Sequence, residues 1–406
     1  MNNNMTTEQK QMVKATVPVL KEHGVLLTTH FYKRMFEHNP ELKHVFNMGN
    51  QQNSKQQTAL AHAVLAYAEH IEDPSVLLPV VNNIGHKHTS LDIRPEHYAI
   101  VGRHLIASIG EVLGDAATPE LIDAWTTAYG QLADLMSGHE KGLYQLQVEK
   151  EGGWTGWRPF VIRNKVEESS EITSFYLYPA DGGAVPDYKP GQYISLRLFL
   201  PELNLLQPRQ YSISCAPNGE FYRISVKRET GSTHPDGMIS NRLHNFVKEG
   251  DIVDLSAPAG VFILNEKTSA AKVFISGGVG QTPLMAMLEG ALSSSEGQGR
   301  PITWVHGCRN EAVHAFKDRL AEITHMYANV NRHIFYDDLE QENEATHRGW
   351  VELERIKTQV IHEDADYYIC GPAPFIAKHY NYLVENGIPK TAIHFEEFGP
   401  ASLNMN

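Results

Sequence analysis

Glu151-Gly-Gly-Trp-Thr-Gly-Trp157 separates two kinds of periodicity in the chain. Before it, apolar residues recur every three or four positions, the period of a helix face. After it, β-branched and aromatic residues gather in short runs between turn residues. Toward the N-terminus the spacing predicts helices over Thr7–Phe36, Gln56–Ile71, Val76–Ser90 and Pro95–Leu113, with Asn39-Pro40 and Asp73-Pro74 closing the first two. A further helix opens at Thr118-Pro119 and runs to about Leu146. The Thr caps its first turn, and the missing N–H of Pro costs nothing there.

Toward the C-terminus six short runs predict strands: Phe160–Lys165, Ile172–Tyr178, Gln192–Leu198, Gln210–Ser214, Tyr222–Lys227 and Ile252–Ser256. Turns such as Asp181-Gly-Gly183, Lys189-Pro-Gly191 and Pro217-Asn-Gly219 bound them, which points to a small antiparallel barrel. From Lys272 strands and helices alternate: Lys272–Ser276, Ile302–His306, Arg332–Tyr336, Tyr367–Cys370 and Ile393–Phe395 read as strands, Pro283–Leu292 and Val313–Ile323 as helices. That alternation predicts a parallel sheet. The expected fold class is multidomain: an all-α unit over 1–148, a linker over 149–157, a six-stranded antiparallel β-barrel over 158–266 and an α/β unit over 267–406.

The 406 residues are 42% apolar and 20% charged, enough for ordinary cores. A formal net charge of -13 argues against nucleic acid or an anionic membrane as partner, since both need a positive surface. Cys215, Cys308 and Cys370 lie far apart, which excludes a zinc ribbon and a disulfide scaffold and fits a reducing compartment. The N-terminal stretch MNNNMTTEQKQMVK has no apolar core for a signal peptide, and no aliphatic run approaches the length of a membrane span. A cytoplasmic monomer acting on small molecules is expected.

Of the 21 histidines, 11 precede residue 150. Leu77, Val81, Ile84 and His88 fall on one face of the predicted third helix, so His88 sits on the apolar stripe and His86 does not. An inward imidazole must find a partner, because burying it unpaired is costly. By itself the pattern fits a structural hydrogen bond as well as a metal ligand. Gln56, Leu60 and Val64 form a stripe that begins with an amide, and Tyr32 lies near the end of the first helix. The bend Asn39-Pro-Glu-Leu-Lys-His-Val-Phe46 ends in an aromatic. Glu140 shares a helix face with Tyr129, Ala133 and Met136.

This helical unit resembles a globin, with Phe46, Gln56 and His88 in the pattern of a distal-pocket Phe, a distal amide and a proximal haem ligand. The stretches His30-Phe-Tyr-Lys-Arg-Met-Phe-Glu-His-Asn-Pro-Glu-Leu-Lys43 and Lys87-His-Thr-Ser90 are similar to the flavohaemoglobins, the bacterial and yeast nitric oxide dioxygenases. The resemblance implies haem b held by His88 and a proximal hydrogen-bonding pair, Tyr98 and Glu140. It also implies distal donors to O2 at Tyr32 and Gln56, an apolar Leu60 over the iron, and Lys87 beside the ligand.

Four further motifs stand in order: Arg209-Gln-Tyr-Ser212, Gly277-Gly-Val-Gly-Gln-Thr-Pro283, Cys370-Gly-Pro372 and Glu396-Glu-Phe-Gly-Pro400. The glycine run lies between a predicted strand and a predicted helix, where backbone and helix N-terminus suit a phosphate. Pro283 stands where a strict G-x-G-x-x-G has its third glycine, so alone the run is equally a strand-to-helix turn. Together the motifs resemble the ferredoxin-reductase-like flavoproteins and imply FAD and NAD(P)H as cofactors.

On that resemblance Arg209 meets the flavin pyrophosphate, Tyr211 stacks on the isoalloxazine and Ser212 faces its N5, with Gln210 and Tyr193 as neighbouring flavin contacts. Val226, Lys227, Arg228, Gly237 and Ser240 match further pyrophosphate contacts. Gly277, Gly278, Val279, Gly280, Gln281, Thr282 and Pro283, with Cys370, Gly371 and Pro372, match the dinucleotide site. Phe398 covers the flavin, followed by Gly399 and Pro400. Glu396 lies near the flavin–haem gap. Glu397 departs from relatives that often carry Cys there. Arg309 is placed to meet a 2′-phosphate, yet no acidic residue marks NADH at that strand end.

The implied reaction is oxidation of NO by O2 to nitrate, with electrons passing from NAD(P)H through FAD to haem iron. An O2 or redox sensor, an O2 carrier with its own reductase, and a general flavin reductase are the alternatives.

Overall fold

The computed structural model describes residues 5–52, 54–231, 236–266 and 270–398. The first unit is helical: α1 Thr7–Ala15, α2 Val17–His38, α3 Met48–Gln52, α4 Lys55–Glu69, α5 Leu78–Ser90, α6 Pro95–Leu113 and α7 Pro119–Val148. The single long first helix expected from periodicity is broken at Thr16, whose hydroxyl turns back to the Val13 carbonyl at 2.6 Å. Pro18 in the first turn of α2 removes a donor that a continuous helix would need. The third predicted helix is likewise divided, into a 3-10 turn over Pro74–Leu77 and α5. Thr118 caps α7 as read, accepting from the Leu121 N–H at 3.3 Å. Phe31, Met35, Tyr67, Ile109 and Trp125 form the heart of this core.

The second unit contains β1 Arg158–Glu167, β2 Ile172–Pro179, β3 Tyr193–Leu200, β4 Leu205–Ser212, β5 Tyr222–Lys227, α8 Met238–Asn245 and β6 Ile252–Leu255. The strands pair antiparallel in the order β4-β3-β6-β1-β2-β5. A bridge between Ile213 and Ile224, and a bond from the Ser214 N–H to the Arg223 carbonyl at 2.7 Å, join the two edges into a barrel. The strand β4 begins at Leu205, earlier than the predicted Gln210, because Pro208 breaks the strand pattern in sequence. An edge strand tolerates that proline, since its N–H side has no ladder to complete.

The third unit runs β7 Ala271–Gly277, α9 Gln281–Ser293, α10 Ser295–Gln298, β8 Ile302–Cys308, α11 Lys317–Met326, β9 Val330–Tyr336, β10 Thr346–Arg348, α12 Lys357–Val360, β11 Ala365–Gly371, α13 Ala373–Glu385 and β12 Ile393–Glu397. All its strands are parallel, in the order β10-β9-β8-β7-β11-β12. Helices cover both faces, as a parallel sheet requires. The chain order reverses between β7 and β11, so the loops after these two strands flank the crevice where α/β sheets bind ligands. Sequence periodicity missed β10, a three-residue edge strand of polar residues, and also α8 and α13. No helix among the described residues is long and apolar enough to cross a membrane.

Candidate functional site

His88 lies in the last turn of α5 with its side chain 30% exposed, not sunk in the apolar core as the stripe predicted. Its Nδ1 stands 2.7 Å from Glu140 Oε1 and 3.0 Å from the Tyr98 hydroxyl. Tyr98 donates to the same carboxylate oxygen at 2.6 Å. Glu140 itself, on α7, is 2% exposed. A carboxylate that accepts on Oε1 keeps the imidazole proton on Nδ1, which leaves Nε2, on the far edge of the ring, with its lone pair free for a metal. Burial, and then the Glu140 charge, push the Tyr98 hydroxyl well above the usual phenol range, so it remains a donor.

The opposite wall is built from α2, α3 and α4. Tyr32 is buried, and desolvation raises its phenol far above the usual range, while the amides of Gln56 and Gln51 lie against its oxygen. Phe46 meets Tyr32 edge-on at 5.8 Å and Phe36 at 5.5 Å. The deeply buried stripe of α4 is Gln57, Ala61, Val64 and Ala68, so Gln56 and Leu60 stand on the neighbouring, half-exposed face. Gln51 Nε2, Gln56 Oε1 and Gln57 Oε1 are buried without a hydrogen-bond partner. Leaving a buried polar atom without a partner costs about 1–3 kcal/mol, so three such atoms in neighbouring residues call for an explanation beyond folding. Gln51 escaped the sequence reading, because nothing in its short helix shows a period.

Between this unit and the barrel the contacts are specific. Ser90, fully buried, accepts from Gln210 Nε2 at 3.1 Å and from the Ser195 hydroxyl at 3.0 Å. Gln210 thus serves the junction. Tyr193 also bonds to Ser90, and His86 Nδ1 accepts from the Gly260 N–H at 3.2 Å. Burial, then nearby His139, bring the His86 ring down to about 4, which keeps it a neutral acceptor. Burial also lowers the Lys87 ammonium. Lys87-His-Thr-Ser90 was the visible signal for this contact.

The barrel's anion-binding features converge. Burial lowers the Arg209 guanidinium, whose Nη1 donates to the Pro208 carbonyl at 2.7 Å. Arg228 Nε is buried without a partner. Gly237 opens α8, and Ser240 Oγ accepts from the Glu229 N–H at 3.2 Å. A phosphate fits this set: unspent guanidinium donors beside a helix N-terminus. Tyr211 is half-buried, its phenol pushed up by burial, and Ser212 is buried beside it at the end of β4. Val226 lies in the barrel core, and Lys227 pairs with Glu229 at 3.6 Å.

In the third unit Gly277 ends β7, Gly278 has φ +55° and Gly280 presses on the Cys370 carbonyl, where a Cβ would overlap it. This brings the glycine run against Cys370-Gly371-Pro372 at the end of β11. Gln281, at the N-terminus of α9, is buried with both amide atoms unpaired, whereas Thr282 closes on the Val279 carbonyl at 3.0 Å and Pro283 is buried in the first turn. Burial raises the Cys370 thiol well above its usual range. Glu396 pairs with Cys370 across β11 and β12, and desolvation lifts its carboxyl to about 8. Glu397 and Phe398 are exposed, and Gly399 and Pro400 lie outside the described residues. Arg309 pairs with Glu171 of the barrel, and its side chain is 62% exposed.

Fold and site together define a haem-type helical pocket joined to a flavin- and dinucleotide-type reductase. The globin model matches residues 29–136, and the oxidoreductase NAD-binding domain model matches residues 274–380. The Flavohemoprotein of Bordetella parapertussis is 53% identical over 401 residues, covering 97% of this chain and 98% of its own length. The chain belongs to the flavohaemoprotein family. Its structure is similar to that of flavohemoglobin from Malassezia yamatoensis, solved with bound FAD and heme, at a TM-score of 0.84, 26% identity and coverage of 97% of this chain and 99% of that one. The FAD/NAD-binding domain of nitric oxide dioxygenase from Vibrio cholerae matches at a TM-score of 0.54 and 39% identity, over 60% of this chain and 99% of its own.

Proposed function

We propose that the protein is a nitric oxide dioxygenase: two NO and two O2 become two nitrates while one NAD(P)H is oxidised and a proton released. The observation that carries this reading is the carboxylate oxygen of Glu140 shared by His88 and Tyr98, with the helix of His88 bonded through Ser90 to the strands of a flavin-type barrel. When bound, haem supplies one-electron iron chemistry toward O2, and FAD exchanges a hydride from NAD(P)H for single electrons.

The chain's own residues do the rest. His88 would hold the haem iron, Nε2 being the ring nitrogen left available when Nδ1 faces Glu140. Glu140, accepting from Nδ1, fixes the ring's orientation and makes it more electron-rich, as an outer carboxylate does for a metal-bound histidine. Tyr98 keeps that carboxylate oriented. Tyr32 and Gln56 present donors to the distal space, and Leu60 and Phe46 exclude water from it. Lys87 stands next to His88 on the same helix. Arg209, Arg228, Gly237 and Ser240, with Lys227 and Val226 beside them, hold the flavin pyrophosphate. Tyr211, Ser212, Tyr193 and Phe398 enclose its ring.

The loop 277–283 and residues 370–372 receive the dinucleotide. Glu396, raised to about 8, carries its proton at neutral pH and holds it beside Tyr193 and Cys370. The division at 1–148, 149–157, 158–266 and 267–406, a monomeric state and a cytoplasmic location belong to the same proposal.

The test is NO consumption by the purified holoprotein with NADH and O2, nitrate being measured as product. Nitrate equal to the NO consumed is expected. Slow NADH use under NO, or a rate that persists after haem removal, overturns the proposal in favour of a carrier or a general flavin reductase.

A further inference from the structure

The flavin-type strand β4 grips the distal wall of the helical unit through one side chain. Gln207, two positions before Arg209, is fully buried. Its Oε1 accepts from the Met48 N–H at 3.0 Å, and its Nε2 donates to the Lys43 carbonyl at 2.8 Å. The adjacent Leu206 N–H donates to His44 Nδ1 at 3.0 Å. The clasp therefore closes on both ends of the 43–48 segment. That segment carries Phe46, which packs on Tyr32 and Phe36. Met48 opens α3, where a Cβ at Gly49 would stand 3.4 Å from Arg209 Nη2 and where Gln51 lies against the Tyr32 hydroxyl.

Resting on the functional reading above, we propose that Gln207 is a positioning residue through which FAD on Arg209 sets the affinity of the distal haem pocket for its gaseous ligand. The physical route is short. A dinucleotide pyrophosphate on Arg209 fixes the end of β4. Gln207 transmits that placement to the backbone at Lys43 and Met48, because a buried amide cannot let go of either partner without leaving unpaired groups. The 43–48 segment then places Phe46 and Gln51 against Tyr32, the donor in the pocket. Coupling of two binding sites is reciprocal: whatever factor FAD imposes on the gas, the gas imposes on FAD.

The test uses carbon monoxide on the ferrous holoprotein. Its dissociation constant is measured with FAD bound and after flavin depletion, and the FAD dissociation constant is measured with and without carbon monoxide. The wild type is expected to show the same factor both ways, about five-fold or more. Gln207→Leu, with haem and FAD both retained, is expected to bring that factor close to one. If Gln207→Leu does not fold, Gln207→Glu serves instead. It is of equal size and keeps an acceptor for Met48, but lacks a proton for the Lys43 carbonyl, and a reduced factor is expected. A wild-type factor of one, or an undiminished factor in the variant, overturns the inference. A chain that takes up neither haem nor FAD fails the functional reading and this inference with it. One that takes up both without coupling fails this inference alone.

Discussion

The two walls of the helical pocket are built on opposite terms. On the His88 side the polar side chains bond to one another: one carboxylate oxygen of Glu140 receives both the imidazole and the Tyr98 hydroxyl, and Tyr129 in turn donates to the Tyr98 carbonyl at 2.7 Å. On the Tyr32 side Gln51, Gln56 and Gln57 keep buried amide atoms unpaired. A fully paired network rigidifies its members and holds one geometry. A partly paired one costs stability and retains one donor, Gln51 Nε2, and two acceptors, Gln56 Oε1 and Gln57 Oε1, for something that arrives later. On the proposed function, the difference means that the His88 wall is finished by folding and the Tyr32 wall by its ligand.

That contrast breaks first at its centre. His88→Ala removes the imidazole of the proximal network and is expected to abolish haem retention. A purified variant with a full Soret band would remove the assignment. Next, Glu140→Gln should keep haem but slow turnover by about 10–100-fold, the usual effect of losing an outer partner of a metal-bound histidine. A wild-type rate in the presence of bound haem would mean that the proximal network is structural only.

Gln56→Leu sharpens the other side, because its two effects should have opposite signs. Oxygen should leave the ferrous protein roughly 10-fold faster, since a hydrogen bond of about 1–1.5 kcal/mol is lost. The haem-free protein should gain about 1 kcal/mol, because an unpaired buried amide atom is gone. Stopped-flow dissociation and urea unfolding read the two separately, and equal signs would contradict the comparison.

The smallest effect concerns imidazoles that are buried like the distal amides but titrate. Burial brings His314 to about 4, and its Nδ1 bonds the Tyr336 hydroxyl at 2.7 Å while Nε2 has no partner. A folded value below the unfolded one means that the unfolded chain takes the proton first. The contribution is therefore whole above about pH 6.5 and is lost as pH falls toward 4. The urea midpoint should drop between pH 7 and pH 5, and His314→Gln should shrink that drop. An unchanged drop would place the acid sensitivity elsewhere.

Much of this was legible before folding. Helical and strand periods separate cleanly at 151–157 because an amphipathic helix and a half-buried strand impose different repeats on the same alphabet. His88 and Glu140 were legible as members of helix faces, and Arg209 and the glycine run as motifs. Pro208 hid most of β4, and the polar residues of β10 hid that strand altogether, since edge strands need little hydrophobic pattern. The pairing of Arg309 with Glu171 was not legible, because the two lie 138 residues apart.

Local sequence thus determined which elements form and which side chains each presents, because periodicity, caps and turn residues act over a few positions. Tertiary structure alone decided which of those side chains meet. The Glu140 oxygen between Tyr98 and His88, Ser90 seated in the barrel, and Gln207 closed on Lys43 and Met48 all join distant segments. A hydrogen bond depends on fractions of an ångström and on direction, and only packing of the units against one another sets those.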